Sequence, residues 1–237
     1  MKMKHIIITG GSGGIGGAVA GRFLTKEWHV HLLLRSFKSP AVQEMMLHSN
    51  CSVYLSDPEN NEQTLSTIQS IKNDGIVPDL VFHAAGTFLW DDGFPGEEKR
   101  PPVEVREILF RSNVKTKESI MKAIESVYTE SLSAIEQAFI GSHAANFAVG
   151  GPERTGTYKE EAYVEMMSIV QTMAHNTLAS GMYKHVFLFE PGLVNTDMAQ
   201  RSFPEERIGF LIDWSTAPTP LQYAEEIFPD DFFTTRQ

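Results

Sequence analysis

The stretch Thr9-Gly10-Gly11-Ser12-Gly13-Gly14-Ile15-Gly16 carries the clearest chemistry in this 237-residue chain. It follows a short apolar run, His5–Ile8, and opens an amphipathic one, Ile15–Lys26. Glycines permit a tight turn and let the backbone approach a pyrophosphate, while the following helix offers unpaired N–H groups and a favourable dipole. In that context the pattern predicts a nucleotide-phosphate cradle. A flexible strand–helix loop is the plain alternative.

The elements that position this cradle alternate in type. Apolar runs predict strands at 5–8, 30–34, 52–55, 80–83, 138–140 and 186–189. Longer amphipathic segments predict helices at 15–26, 42–47, 63–71 and 161–178, with one continuous helical region over 103–127. Such alternation implies right-handed crossovers and a doubly wound, Rossmann-like parallel α/β sheet in a single domain spanning 1–237. Binding is then expected at the carboxyl ends of the strands. The segment Thr87–Pro102, rich in glycine, proline and acid, reads as an exposed excursion.

Composition narrows the function. A formal charge of −10 argues against nucleic-acid backbones and anionic membranes as partners. The single cysteine, Cys51, excludes an intramolecular disulfide and a cysteine-rich zinc site, and no metal is expected. No signal peptide or membrane-length apolar run is evident, so a cytoplasmic protein is expected.

Matches further along the chain are specific. Thr9-Gly10-x-x-x-Gly14-x-Gly16 resembles the cofactor motif of the short-chain dehydrogenase/reductase family. His83-Ala84-Ala85-Gly86 is similar to that family's Asn-Asn-Ala-Gly element, with His and Ala in place of both asparagines. Asn113 and Ser142 match its catalytic asparagine and serine, and Pro191-Gly192-Leu193-Val194-Asn195-Thr196 resembles its Pro-Gly-x-Val-x-Thr segment. The ordered resemblance covers 4–198; residues 199–237 match weakly and offer no clear counterpart of the family's last strand. His83 and His143 read as polar residues at a strand rim.

The resemblance also addresses the cofactor. An acidic residue at the end of the second strand usually marks NAD; here Leu34 stands there and Arg35 follows, as in members that bind the NADP 2′-phosphate. NADP is therefore expected over NAD, with Lys38 adding charge nearby. Asp57 resembles the aspartate near the adenine, or equally caps the following turn. By the same resemblance Thr9, Gly10, Ser12, Gly14, Ile15, Gly16, Ala84, Ala85, Gly86, Pro191, Gly192, Val194 and Thr196 border the cofactor.

The family's Tyr-x-x-x-Lys element is broken. Its tyrosine exchanges a proton with the substrate oxygen, and its lysine holds the nicotinamide ribose and lowers the tyrosine pKa. Four-residue spacing places the two on one helical face. Tyr163 is followed at that spacing by Met167, and Tyr158 by Ala162. The Tyr163 register puts Val170 and Met173 at apolar positions and is preferred; Tyr158 keeps the separation from Ser142 nearer the family pattern.

Two functions follow. The first is an NADP-dependent oxidoreductase that reduces a small-molecule carbonyl to an alcohol, with Asn113, Ser142 and Tyr163 at the catalytic positions. The second is a catalytically silent dinucleotide-binding sensor or interaction protein, which Met167 favours. The resemblance suggests a homodimer or homotetramer through the helices at 103–127 and 161–178.

Overall fold

The computed structural model describes residues 3–90, 98–146, 161–203 and 213–235. Six strands form one parallel sheet: β1 His5–Thr9, β2 His29–Leu34, β3 Cys51–Leu55, β4 Leu80–His83, β5 Glu136–Ile140 and β6 His185–Phe189. Their order is β3-β2-β1-β4-β5-β6, so the winding reverses between β1 and β4. This is the Rossmann-like α/β sheet that the alternation of elements implied.

Nine helices are described: α1 Gly14–Thr25, α2 Pro40–Met45, α3 Asn61–Asn73, α4 Pro102–Leu109, α5 Thr116–Val127, α6 Glu161–Ala179, α7 Asp197–Ser202, α8 Pro220–Ile227 and α9 Asp230–Thr234. Alternation along β1 sends Ile6 and Ile8 into one core with α1, α8 and α9, and Ile7 into the opposite core with α3 and α5. Both faces are covered, as a parallel sheet requires. Among the described residues no helix is long and apolar enough to cross a membrane.

Three sequence expectations shift. The region 103–127 is helical throughout, as expected, but a π turn, Phe110–Lys115, interrupts its α geometry between α4 and α5. Its cause is Asn113, whose Nδ2 donates to the Leu109 carbonyl at 3.0 Å and the Thr87 carbonyl at 2.9 Å. An inserted turn of this kind re-aims the side chains that follow it. The strand expected at 138–140 begins two residues earlier, at Glu136. Polar residues hid that start: buried Glu136 pairs with Lys184 at 3.1 Å, and Gln137 with His83.

The excursion at 87–102 is not exposed throughout. Phe88, Leu89 and Trp90 are 7%, 2% and 2% accessible, and the Trp90 indole N–H donates to the Ser202 carbonyl at 2.7 Å. Residues 91–97, including Phe94, lie outside the described residues.

Among the carboxyl-terminal residues that matched weakly, Ala224, Phe228, Phe232 and Phe233 are part of the core. Phe228 and Phe233 each stand edge-on to Phe23 at 5.0 Å. Each buried phenylalanine of this kind contributes about 1.5–3 kcal/mol. Asp230 secures the contact by pairing with Arg22 at 2.9 Å and Lys26 at 2.8 Å.

Candidate functional site

A cavity of about 510 Å³ opens at the carboxyl ends of β1, β4, β5 and β6. Its floor is the glycine turn. Gly10 takes a positive φ of 75°, and a Cβ there would lie 2.6 Å from the Ala85 nitrogen. The two loops thus meet backbone to backbone. Helix α1 begins without a side-chain cap on Gly13 and without an acidic residue in its first turn. Its leading N–H groups and positive dipole end are therefore open to an anion. Gly10, Gly14, Ile15 and Gly16 line this part, whereas buried Thr9 and exposed Ser12 do not. Thr9 instead accepts the Ala85 N–H on its hydroxyl at 3.4 Å.

Across the cavity stand the residues singled out for chemistry. Ser142 follows β5, and its Oγ accepts the Ala144 N–H at 3.2 Å, which leaves the hydroxyl proton for a ligand. Half-buried Tyr163 projects from α6 into the same space, with Met167 one turn on and 2% accessible. Asn113 also lines it, but its amide is committed to the backbone: besides its two donated bonds it accepts the Thr87 N–H at 3.1 Å. Asn113 thus pins the loop after β4 to the π turn. Tyr158 and Lys159 lie outside the described residues.

Ala84, Ala85 and Gly86 form one rim; Pro191, Gly192, Val194 and Thr196 form the opposite one. The Thr196 hydroxyl caps α7 by accepting the Ala199 N–H at 3.1 Å. An aromatic wall closes the outer end. Phe88 lies 4.8 Å from Tyr163 and 5.1 Å from Phe203, ring centre to ring centre.

The histidines divide. His143 is exposed at the cavity edge. His83 is fully buried beneath the cavity, stacked on Phe139 at 4.6 Å, and its Nε2–H donates to Gln137 Oε1 at 2.7 Å. Burial pushes its pKa down to about 3, the Gln137 bond raises it and Lys117 lowers it further. His83 is thus a neutral partner for Gln137 and does not line the cavity. Among the described residues no cluster of histidine, cysteine and carboxylate side chains suits a metal.

Arg35 and Asp57 sit beyond the cavity lining. The Arg35 side chain is 67% accessible and lies 3.5 Å from Glu59, which Arg111 also grips at 2.7 Å. Two guanidinium groups therefore converge on one carboxylate past the end of β2. Asp57 Oδ1 accepts the Glu59 N–H at 3.0 Å, the turn-capping arrangement.

Sequence reasoning missed Lys117. It is 2% accessible, lines the cavity, and donates from Nζ to the Ala85 carbonyl at 2.8 Å. Burial alone pulls its pKa from 10.5 to about 7. A signal was available: Asn113, Lys117, Ile120, Ile124 and Val127 form one buried helical stripe, in which a lysine is out of place.

No protein-family model matches the chain, and no curated protein matches it. Solved structures do share its fold. ElxO with NADP bound has a TM-score of 0.75 at 23% identity, covering 98% of this chain and 94% of that one. The closed form of serine dehydrogenase complexed with NADP+ reaches 0.77 at 19% identity, covering 94% and 87%. A short-chain dehydrogenase/reductase from Vibrio parahaemolyticus reaches 0.70 at 18% identity, covering 94% and 88%. At these identities the likeness is one of fold, and chemistry must be argued from the site.

Proposed function

We propose that this protein is an NADP-dependent oxidoreductase that reduces a carbonyl to an alcohol. One observation carries the reading: an uncapped, glycine-lined helix start, the Ser142 hydroxyl and the Tyr163 phenol all border a single cavity. The residues present suit the cofactor. The start of α1 offers N–H donors to a pyrophosphate with no acid to oppose it, and Arg35 lies beyond Leu34, where a 2′-phosphate would be met. Two of the structures that share the fold hold NADP.

Bound NADPH supplies the hydride. Ser142 donates its free hydroxyl proton to the substrate oxygen and so orients the carbonyl. Tyr163 gives its phenolic proton to that oxygen as the alcohol forms. Reduction needs the protonated phenol. Oxidation needs the phenolate. Phe88, Leu193, Met198 and Phe203 make the cavity's outer part apolar and suit a hydrophobic carbonyl compound.

Met167, apolar and one helical turn from Tyr163, supports the second reading, a catalytically silent dinucleotide-binding protein. Calorimetry with NADPH and turnover on a panel of ketones and aldehydes separate the two. Under the enzyme reading the parent binds NADPH and consumes it, whereas Tyr163→Phe binds equally and loses roughly 100-fold or more in turnover. NADPH binding without consumption of any panel member favours the silent protein. Absence of NADPH binding defeats both.

A further inference from the structure

Met167 occupies the helical position from which a cation would serve Tyr163, yet the cavity is not without a cation. Lys117 enters from α5, on the other side of the π turn, four residues after Asn113. Its ammonium carries three N–H donors, and the Ala85 carbonyl takes one of them at 2.8 Å. That carbonyl belongs to the residue whose nitrogen packs against Gly10, so Lys117 sits under the junction of the two cofactor loops. Among the described residues no charged group offsets its burial. A cation so placed is costly to the fold, and active sites are where such groups persist.

We infer that Lys117 is a catalytic residue of this site: its Nζ holds the nicotinamide ribose and returns to Tyr163 the proton that the tyrosine gives to the substrate. This inference rests on the proposed oxidoreductase reading. When the carbonyl is reduced, the Tyr163 O–H bond breaks and the alcohol O–H bond forms. An Nζ–H bond then breaks as the phenol is restored, and the amine regains its proton from water. A pKa near 7 suits this duty, because ammonium and amine are both populated at neutral pH. Among the described residues the other titratable side chains bordering the cavity are His143, from the turn after β5, and Tyr163, from α6. His83 lies behind them on β4 and stays neutral well below pH 7.

Two variants of the full-length protein test this: Lys117→Met, and the exchange Lys117→Met with Met167→Lys. Thermal unfolding establishes that each is folded. Calorimetry then follows NADPH affinity from pH 7 to 9, above the titration of the cofactor's own phosphate. Parent affinity should fall as the pH rises and the ammonium is lost, while Lys117→Met should bind roughly tenfold or more weakly at pH 7 with no such dependence. Turnover should fall in Lys117→Met, and its rise in the exchange variant would support the transfer of one duty between two helices. A folded Lys117→Met that keeps both the parent's affinity and its pH dependence overturns the inference while leaving the cofactor reading intact. If the parent itself does not bind NADPH, the cofactor reading falls and takes the inference with it.

Discussion

Replacing Lys117 by methionine should make the protein more stable at neutral pH. The two side chains have similar length and volume, so the pocket around Nζ is refilled without strain. In the fold the lysine pKa is held at about 7 against an ordinary 10.5. Each pH unit between those values represents about 1.4 kcal/mol, giving about 5 kcal/mol when both states are fully protonated. At pH 7 the folded amine is half protonated, which brings the penalty to about 4 kcal/mol. Because the folded pKa of this base is depressed, the penalty is full below pH 7 and fades as the pH approaches 10.5. At pH 9.5 it is about 1 kcal/mol.

Against this, the substitution strands the Ala85 carbonyl, at a cost of about 1–3 kcal/mol that does not vary with pH. Lys117→Met should therefore be about 1–3 kcal/mol more stable than the parent at pH 7, with that advantage smaller by about 3 kcal/mol at pH 9.5. Urea unfolding of both proteins at the two pH values measures the difference directly. A variant less stable at pH 7, or one whose advantage is the same at both pH values, would refute the description of Lys117 as an uncompensated buried cation. The predicted exchange of stability against function is common where a site holds a strained or charged group.

Glu59 holds Arg35 and Arg111 away from an incoming phosphate, so Glu59→Gln should strengthen NADPH binding roughly fivefold, or about 1 kcal/mol, with little effect on NADH. Arg35→Asp should erase the NADPH preference, and parallel calorimetric titrations in which the parent prefers NADH would count against this assignment. Gly14→Val would bring a Cβ within 2.6 Å of the Thr196 methyl and disturb the cap of α7; a folded variant should lose roughly tenfold or more in NADPH affinity, and unchanged affinity would reject the cradle. Burial depresses His31, which His29 and His5 lower further, and His83 to about 3, so the unfolded chain takes up protons below pH 6.5 that the folded chain refuses until about pH 3. Stability is thus full above pH 6.5 and should drop by about 2 kcal/mol per histidine at pH 5; a urea midpoint that stays level between pH 7 and 5 would contradict this.

The six strands and the helices as far as α6 were legible because they rest on local periodicity, whereas α7, α8 and α9 were not: Ile6 and Ile8 serve one core and Ile7 the other, and a parallel sheet makes both faces apolar. The glycine turn ahead of α1 was legible for the same reason, since a tight turn before a helix is encoded by adjacent residues. Wherever a residue's meaning depended on a distant partner, the linear pattern fell short. Glu136 and Gln137 read as polar until Lys184 and His83 were seen opposite them. Whether Phe88 and Trp90 line a pocket or pack within a surface loop was undecided until Phe203 and the Ser202 carbonyl were seen against them. The site's cation is the sharpest case. In sequence, the four-residue spacing after Tyr163 ends in methionine, and Lys117 shows only as a charge out of place on the apolar stripe of its helix, with nothing to say what it faces. Only the π turn at 110–115 and the packing of α5 beneath the loop after β4 bring that lysine to the cavity, because a helix's facing is decided by everything it packs against.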